Sequence, residues 1–255
     1  MTNVKNKALI SLLLPLTLAS GAALAQNSSS FNPNQTKEIQ QIIHDYLVKN
    51  PQVLIEASQA LQQQQMAQMQ KTASKAITEN ARDLFNNSTS PVVGNPNGDV
   101  TVVEFMDYQC PHCKEMNPVI DGLIKTDGNL RVVYKELPIF GATSEFAAKA
   151  ALASIKQGKY QAFHAALMAD QNPLSKDEVL KLAREVGLNT DKLSKDAEDT
   201  QISQQLKDNN ALAQKLGLMG TPAFIVGRRD GSKTAFIPGT TNQQSLQQLI
   251  TQTRK

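Results

Sequence analysis

Apolar residues at Ile39, Ile42, Ile43, Tyr46 and Leu47 fall at i, i+3, i+4, i+7 and i+8, one stripe of an amphipathic helix, for which Thr36 is the expected N-cap. Asn50-Pro51 stops that helix. A second helical stretch starts at Pro51, a favourable first-turn position, and runs to about Phe85, with Val53, Leu54, Ala57, Leu61, Ile77, Leu84 and Phe85 as its apolar marks. Its middle, residues 62–70, is glutamine-rich. A helical pair with so few large apolar residues makes little core of its own, so the stripe needs a partner. A second copy of the chain is the favoured partner; packing back on the rest of the chain, or partial disorder, is the alternative.

Residues 86–96, with Ser88, Ser90, Pro91, Gly94 and Pro96, read as a linker or a short edge strand. The pattern then changes. Residues 100–106 (Val-Thr-Val-Val-Glu-Phe-Met) form a nearly continuous run of β-formers, as expected of a strand buried on both faces. A helical segment follows to about Lys125, then a strand over 130–135. From Ser144 to about Leu216 the period is helical, with breaks at Gly158, Asn172-Pro173, Gly187 and near Thr200. Residues 223–226 and 234–237 read as short strands and 245–253 as a last helix. The order is β-α-β, a helical block, then β-β-α, which places the chain in the α/β class.

The first 25 residues have a different grammar. Lys5 and Lys7 precede an apolar stretch over residues 8–18, and Ala23-Leu24-Ala25 offers a small-x-small cleavage site. This is the pattern of a cleaved secretory signal. A membrane anchor is the competing reading, but Pro15, Thr17, Ser20 and Gly21 interrupt a core shorter than the ~20 apolar residues a span needs. Gln26 follows the site, so no thiol is available there for lipid attachment. A soluble periplasmic protein is expected, with residues 26–35 as a disordered lead-in.

Composition narrows the function class. The 255 residues are 40% hydrophobic and 19% charged, an ordinary globular balance, with 26 basic and 23 acidic residues spread without a basic run. Nucleic acid is not expected as a partner. There are only two cysteines, Cys110 and Cys113, in a chain expected to be exported to an oxidising compartment. A bridge between them would close a very short loop and add little stability, so the pair is expected to do chemistry. A zinc site would need a second ligand pair, which the three histidines His44, His112 and His164 do not provide. His44 and His164, on helical spacing, read as flank or packing residues.

A Cys-x-x-Cys after a buried strand and at the mouth of a helix places the first sulfur near unpaired N–H groups and the positive end of the helix dipole. A thiolate at Cys110 is favoured there, and Cys113, one turn on, is positioned to close an intramolecular disulfide. His112 can donate to or charge-stabilise that thiolate, and Pro111 fixes the loop. A stabilised thiolate stabilises the reduced form and makes the disulfide oxidising. Glu104, six residues before Cys110, is either a buried acid with a raised pKa, able to relay a proton for Cys113 through water, or an end-of-strand residue turned to solvent. Thr221-Pro222 precedes the third strand and is a candidate cis bond.

Residues 103–113, Val-Glu-Phe-Met-Asp-Tyr-Gln-Cys-Pro-His-Cys, with Thr221-Pro222 downstream and a helical block between, resemble the DsbA-like thiol:disulfide oxidoreductases of the thioredoxin superfamily. The resemblance covers roughly residues 91–255. It implies a thioredoxin fold with a helical insertion at about 142–216, Cys110 as the exposed nucleophile, Cys113 as the buried resolving thiol, Thr221-Pro222 as a cis-proline loop facing the disulfide, and Glu104 as the buried acid. No cofactor is expected beyond the Cys110–Cys113 redox pair.

The departure is the segment 36–85, which monomeric DsbA enzymes lack and which is similar to N-terminal extensions of self-associating DsbA-like proteins. The expected organisation is therefore a helical dimerisation region at 36–85, a linker at 86–96 and a DsbA-like domain at 97–255. The expected activity is forming, and also isomerising, disulfides in secreted proteins. Unfolded or misoxidised exported proteins and a membrane redox protein are the expected partners. A dedicated isomerase or reductase, and a non-catalytic chaperone-like binding protein, are the rivals.

Overall fold

The computed structural model describes residues 31–255; the expected signal peptide and the first part of the lead-in lie outside the described residues. Helix α1 (Pro33–Lys49) starts before the expected N-cap Thr36 and takes in the end of the lead-in. Its N-cap is Asn32, which forms a capping box with Gln35, and Pro33 fills the first helical position. Helix α2 (Gln52–Glu79) does not run on to Phe85. The Asn80 amide donates to the Ala76 carbonyl at 2.8 Å, and a separate short helix, α3 (Ala81–Phe85), follows.

The chain divides into two compact units, one ending at Ser58 and one spanning Gln59–Lys255. The boundary falls inside α2, well before the expected linker. In the first unit α1 buries none of its residues, and Ile42 and Ile43 are 62% and 53% exposed. In the second unit Ala73, Ala76, Ile77, Leu84 and Phe85 are all buried. The last turns of α2 and all of α3 therefore belong to the main core, which corrects the expectation that residues 36–85 form one separate region.

Of the two readings of residues 86–96, a linker or a short edge strand, the second holds. Strand β1 (Val92–Gly94) pairs antiparallel with β3 (Leu130–Glu136), matching Val92 with Val133 and Gly94 with Arg131. β3 lies parallel to β2 (Val100–Met106), joined to it by helix α4 (Pro111–Thr126). β4 (Ala223–Arg228) runs antiparallel to β2, and β5 (Ala235–Pro238) antiparallel to β4, giving the sheet order β1-β3-β2-β4-β5. Helix α10 (Gln243–Arg254) closes the chain against β4 and α4.

Between β3 and β4 lie α5 (Ala142–Ala153), a 3-10 turn (Ser154–Gln157), α6 (Tyr160–Ala169), α7 (Lys176–Glu185), α8 (Thr190–Ala197) and α9 (Thr200–Lys215). The breaks have local causes. Gly158 ends the 3-10 turn at φ 67°, and Ser175, Asn189 and Asp199 each accept a backbone N–H as N-caps.

The sheet divides the core by parity. Val100, Val102, Met106, Leu130, Val132 and Tyr134 pack with α4 and α10 and with Phe163 and Leu167 of α6. Val103, Phe105 and Val133 face the other way, onto Ile77, Leu84, Phe85 and Leu212. Phe85 lies against Gly227 of β4, where a Cβ would come within 2.8 Å of the ring. Two buried cations of β3 tie the same segment down: Arg131 donates to the Phe85 carbonyl at 2.8 Å, and Lys135 to Ser90 Oγ at 2.8 Å and to the Asp83 carbonyl. Burial lowers the pKa of Lys135 to about 8.

Candidate active site

After β2 the chain turns through Asp107-Tyr108-Gln109 into α4, and Asp107 holds the turn. Its carboxylate accepts from the N–H groups of Gln109 (2.7 Å), Ile139 (2.7 Å) and Phe140 (3.2 Å) and from the Ser144 hydroxyl (2.7 Å). The segment before Cys110 is thus fastened to the loop after β3 and to α5. Sequence reasoning passed over Asp107; an aspartate between a buried strand and the Cys-x-x-Cys motif was its signal.

Cys110 is itself the N-cap of α4, with extended backbone (φ −76°, ψ 116°) and Pro111 at the first helical position. Its thiol therefore stands where first-turn N–H groups lack helical acceptors and the helix dipole is positive. Hydrogen bonding from the Cys113 thiol lowers the Cys110 pKa most. The backbone N–H groups of Cys113 and His112 lower it further, and together these outweigh burial. Cys113 moves the opposite way, raised by its contact with Cys110, then by burial, then by the charge of Glu104. Both cysteines are free thiols in this structure.

The resemblance implied an exposed Cys110, but the residue is 2% exposed. The reason is the loop opposite: Cys110 Sγ donates to the Thr221 carbonyl at 3.2 Å, and the Thr221–Pro222 bond is cis. Thr221 Oγ1 has no partner. Beside this loop runs a mainly apolar cleft of about 380 Å³, lined by Met66 and Met69 of α2 and by Met219, Thr221, Pro222 and Phe236. Met219 is almost fully exposed. The methionines were not anticipated from sequence.

His112 does not reach Cys110 with its ring. It is exposed, and Nδ1 lies 3.0 Å from Glu115 Oε2, which raises its pKa. Its contribution to Cys110 comes mainly from its backbone N–H.

Glu104 is buried on the sheet face that carries Cys113, which excludes the reading that turned it to solvent. Burial, then the nearby charges of Glu136 and Cys110, push its pKa up to about 8. Glu136 at the end of β3 is a second buried acid, also raised to about 8 by burial. Tyr108 Oη and Tyr160 Oη lie 2.9 and 2.8 Å from Glu136 Oε1. His164, buried as expected of a packing residue, lies 3.1 Å from Tyr108 Oη through Nδ1 and 3.2 Å from Asn117 Oδ1 through Nε2. Burial lowers the His164 pKa to about 3. His44 sits exposed on α1 beside Asp45.

Known proteins fit this geometry. The profile of the DSBA-like thioredoxin domain matches residues 101–251, and that of the copper resistance protein ScsC N-terminal domain matches residues 35–68. A thioredoxin-like oxidoreductase from Silicibacter pomeroyi DSS-3 is 47% identical, with a TM-score of 0.64 over 68% of this chain and 96% of that one. BcfH from Salmonella enterica Typhimurium is 31% identical, with a TM-score of 0.70 over 87% of this chain and 97% of that one.

A similarity of 30% over 141 residues also links the chain to Na(+)/H(+) antiporter NhaA 3 of Salinispora tropica. It covers 54% of this chain and 22% of that protein, so the chain spans about a fifth of the length of that curated relative. Among the described residues no helix is long and apolar enough to cross a membrane. With the thioredoxin-type sheet, the Cys110–Cys113 pair at the mouth of α4 and a profile match over most of residues 97–255, the chain belongs to the DSBA-like thioredoxin-domain family, with an N-terminal extension of the ScsC kind.

Proposed function

We propose that the chain is an exported thiol:disulfide oxidoreductase that forms, and also isomerises, disulfide bonds in other exported proteins. The observation that carries this reading is the asymmetry of the pair. One thiol is held toward the thiolate at a helix N-cap, and the other is kept protonated beside a buried acid.

In the oxidised protein a substrate thiolate attacks Cys110 Sγ. The Cys110–Cys113 bond breaks, and Cys113 leaves as a thiolate that takes a proton relayed by Glu104 through water. A second substrate thiolate then attacks the substrate sulfur of the mixed disulfide, and Cys110 leaves as a stabilised thiolate. Two electrons pass from the substrate dithiol to the enzyme pair. Isomerisation uses the reverse entry, with the Cys110 thiolate attacking a wrong substrate disulfide. The methionine-lined cleft beside Thr221-Pro222 suits an unfolded peptide, because thioethers adapt to varied side chains.

The exposed stripe of α1, with Ile42, Ile43 and Tyr46 more than half exposed, supports self-association through the N-terminal helices, the occupant being a second copy. A reduced dithiol protein and a scrambled multi-disulfide protein, each incubated with the mature chain and with its Cys110→Ser variant, test the reading. Oxidation of the first and reactivation of the second, both lost in Cys110→Ser, are the expected results. Retention of either activity in the variant overturns the mechanism.

A further inference from the structure

The buried acid Glu136 takes no part in the exchange just described, yet its hydrogen bonds determine where its proton sits. Asn117 Nδ2 donates to Asp121 Oδ2 at 3.3 Å, which fixes the amide so that Oδ1 faces His164. His164 is neutral, so the proton that makes the 3.2 Å contact with Asn117 Oδ1 resides on Nε2, and Nδ1 is bare. Nδ1 therefore accepts from the Tyr108 hydroxyl at 3.1 Å. Tyr108 has one proton and has now given it away. Its 2.9 Å contact with Glu136 Oε1 needs a proton from the carboxyl. Tyr160 donates to the same oxygen at 2.8 Å.

A second observation agrees. Glu136 Oε2 is buried with no partner, which a neutral carboxyl group tolerates far better than a carboxylate. The ionised alternative would need His164 protonated on Nδ1, and bare Nε2 would then face the lone pairs of Asn117 Oδ1.

The groups around Glu136 are Tyr134 on its own strand, Glu104 on β2, Asp107 and Tyr108 in the turn, and Tyr160 and His164 on α6. None of these is cationic; Lys135 points through the opposite face of the sheet. In the parallel register Glu104 pairs with Tyr134 and Met106 with Glu136, so the two acids share one face as diagonal neighbours. Glu136 is the foremost charged influence on Glu104, and Glu104 in turn acts on Cys113.

We propose that Glu136 is a positioning residue of the redox site: a neutral buried acid that donates its proton to Tyr108, heads a one-way chain of hydrogen bonds through His164 to Asn117 on α4, and by staying uncharged leaves Glu104 free to take the proton of Cys113. When Glu136 ionises, Tyr108 reverses, His164 changes tautomer, and Glu104 faces a second negative charge that makes it harder to ionise. Proton removal from Cys113 then gains less from rising pH than an isolated Glu104 would allow.

The link to Cys113 rests on the redox reading above, while the proton on Glu136 does not. Two measurements on the full mature chain separate them. Infrared spectra of the reduced wild type near pH 6.5 should contain the C=O stretch of a protonated side-chain carboxyl that Glu136→Gln removes. Tyr160→Phe, which deletes only a donor to Oε1, should shift that band without abolishing it and covers the case in which Glu136→Gln does not fold.

The second measurement is closure of the Cys110–Cys113 disulfide by oxidised glutathione, in which two thiols are oxidised and two glutathione thiols are released. Its rate should still be rising above pH 8 in the wild type, whereas Glu136→Gln, in which Glu104 ionises at lower pH, should level off earlier and be at least threefold faster near pH 8. A carboxyl band untouched by both variants overturns the assignment of the proton. A band that responds while the two pH profiles stay parallel overturns the coupling to the thiols and leaves Glu136 a packing group. A chain that closes its own disulfide with these profiles but oxidises no protein substrate refutes the proposed function and leaves this inference standing.

Discussion

Replacing Glu104 with glutamine should change how stability depends on pH, and the size follows from where the acid sits. In the unfolded chain this carboxyl ionises near its ordinary value of 4.5, whereas in the fold burial and the neighbouring charges hold its proton until about pH 8. The folded state therefore binds the extra proton between those limits. The contribution is present in full below pH 4.5 and is lost as pH rises toward 8. At 1.36 kcal/mol for each pH unit, the loss has an upper limit of ~5 kcal/mol, and relaxation around the acid reduces it to about 2–4 kcal/mol.

Glu104→Gln cannot ionise, so its stability should fall less over the same range. The amide's unmatched donors impose a penalty of ~1–3 kcal/mol at every pH, which offsets the curve without tilting it. The assay is urea unfolding of the reduced mature protein and the variant at pH 4.5, 6 and 8, read as the change in their difference. The variant should gain on the wild type by several kcal/mol between the extremes. Parallel curves would falsify the assignment of Glu104 as a buried, proton-holding acid. The same variant should slow Cys110–Cys113 closure about tenfold or more, since the proton of Cys113 loses its acceptor.

The N-cap position of Cys110 has a direct chemical readout: alkylation of the reduced protein should modify Cys110 alone and stay fast from pH 8 down to pH 6, where an ordinary thiol slows about tenfold per pH unit. Preferential labelling of Cys113 would refute the asymmetry. Ile43→Lys should lower the mass seen by light scattering from that of a dimer to that of a monomer, and a wild type already of monomer mass removes the self-association proposal. Phe85→Ala should cost about 3–5 kcal/mol in urea unfolding, because the ring is buried between Gly227 and β2; an unchanged midpoint would mean that residues 81–85 are not part of the core.

The redox motif was legible because its determinants are local. A buried run, two cysteines three apart and a helical period afterwards lie within residues 100–126, and the strand and helix occur where that pattern places them. The seating of residues 73–85 was not legible, because Ala73, Ala76 and Ile77 make a weak stripe whose partners, Leu212 and Ile225, lie more than 130 residues away. The capping of α1 by Asn32 went to Thr36 in sequence because the apolar stripe starts late, while the Asn-Pro start depends on backbone geometry. Exposure of Cys110 was misread for a related reason: the covering carbonyl belongs to Thr221, on the far side of the inserted helices. The acid network joins Tyr108, Glu136, Tyr160 and His164, which become neighbours only once β3 pairs with β2 and α6 lies over that face.

The parity of β2 also makes that strand unusually intolerant of length changes. One face of seven residues carries Glu104 toward the thiols while the other receives Phe85 and Ile77. Deleting or inserting a single residue before Glu104 would swap the two assignments together, pressing a carboxylate into the seat of the N-terminal helices and a phenylalanine beneath Cys113. Chemistry and anchorage are thus written on one ribbon and inherited together, so the strand can vary by substitution but not by insertion.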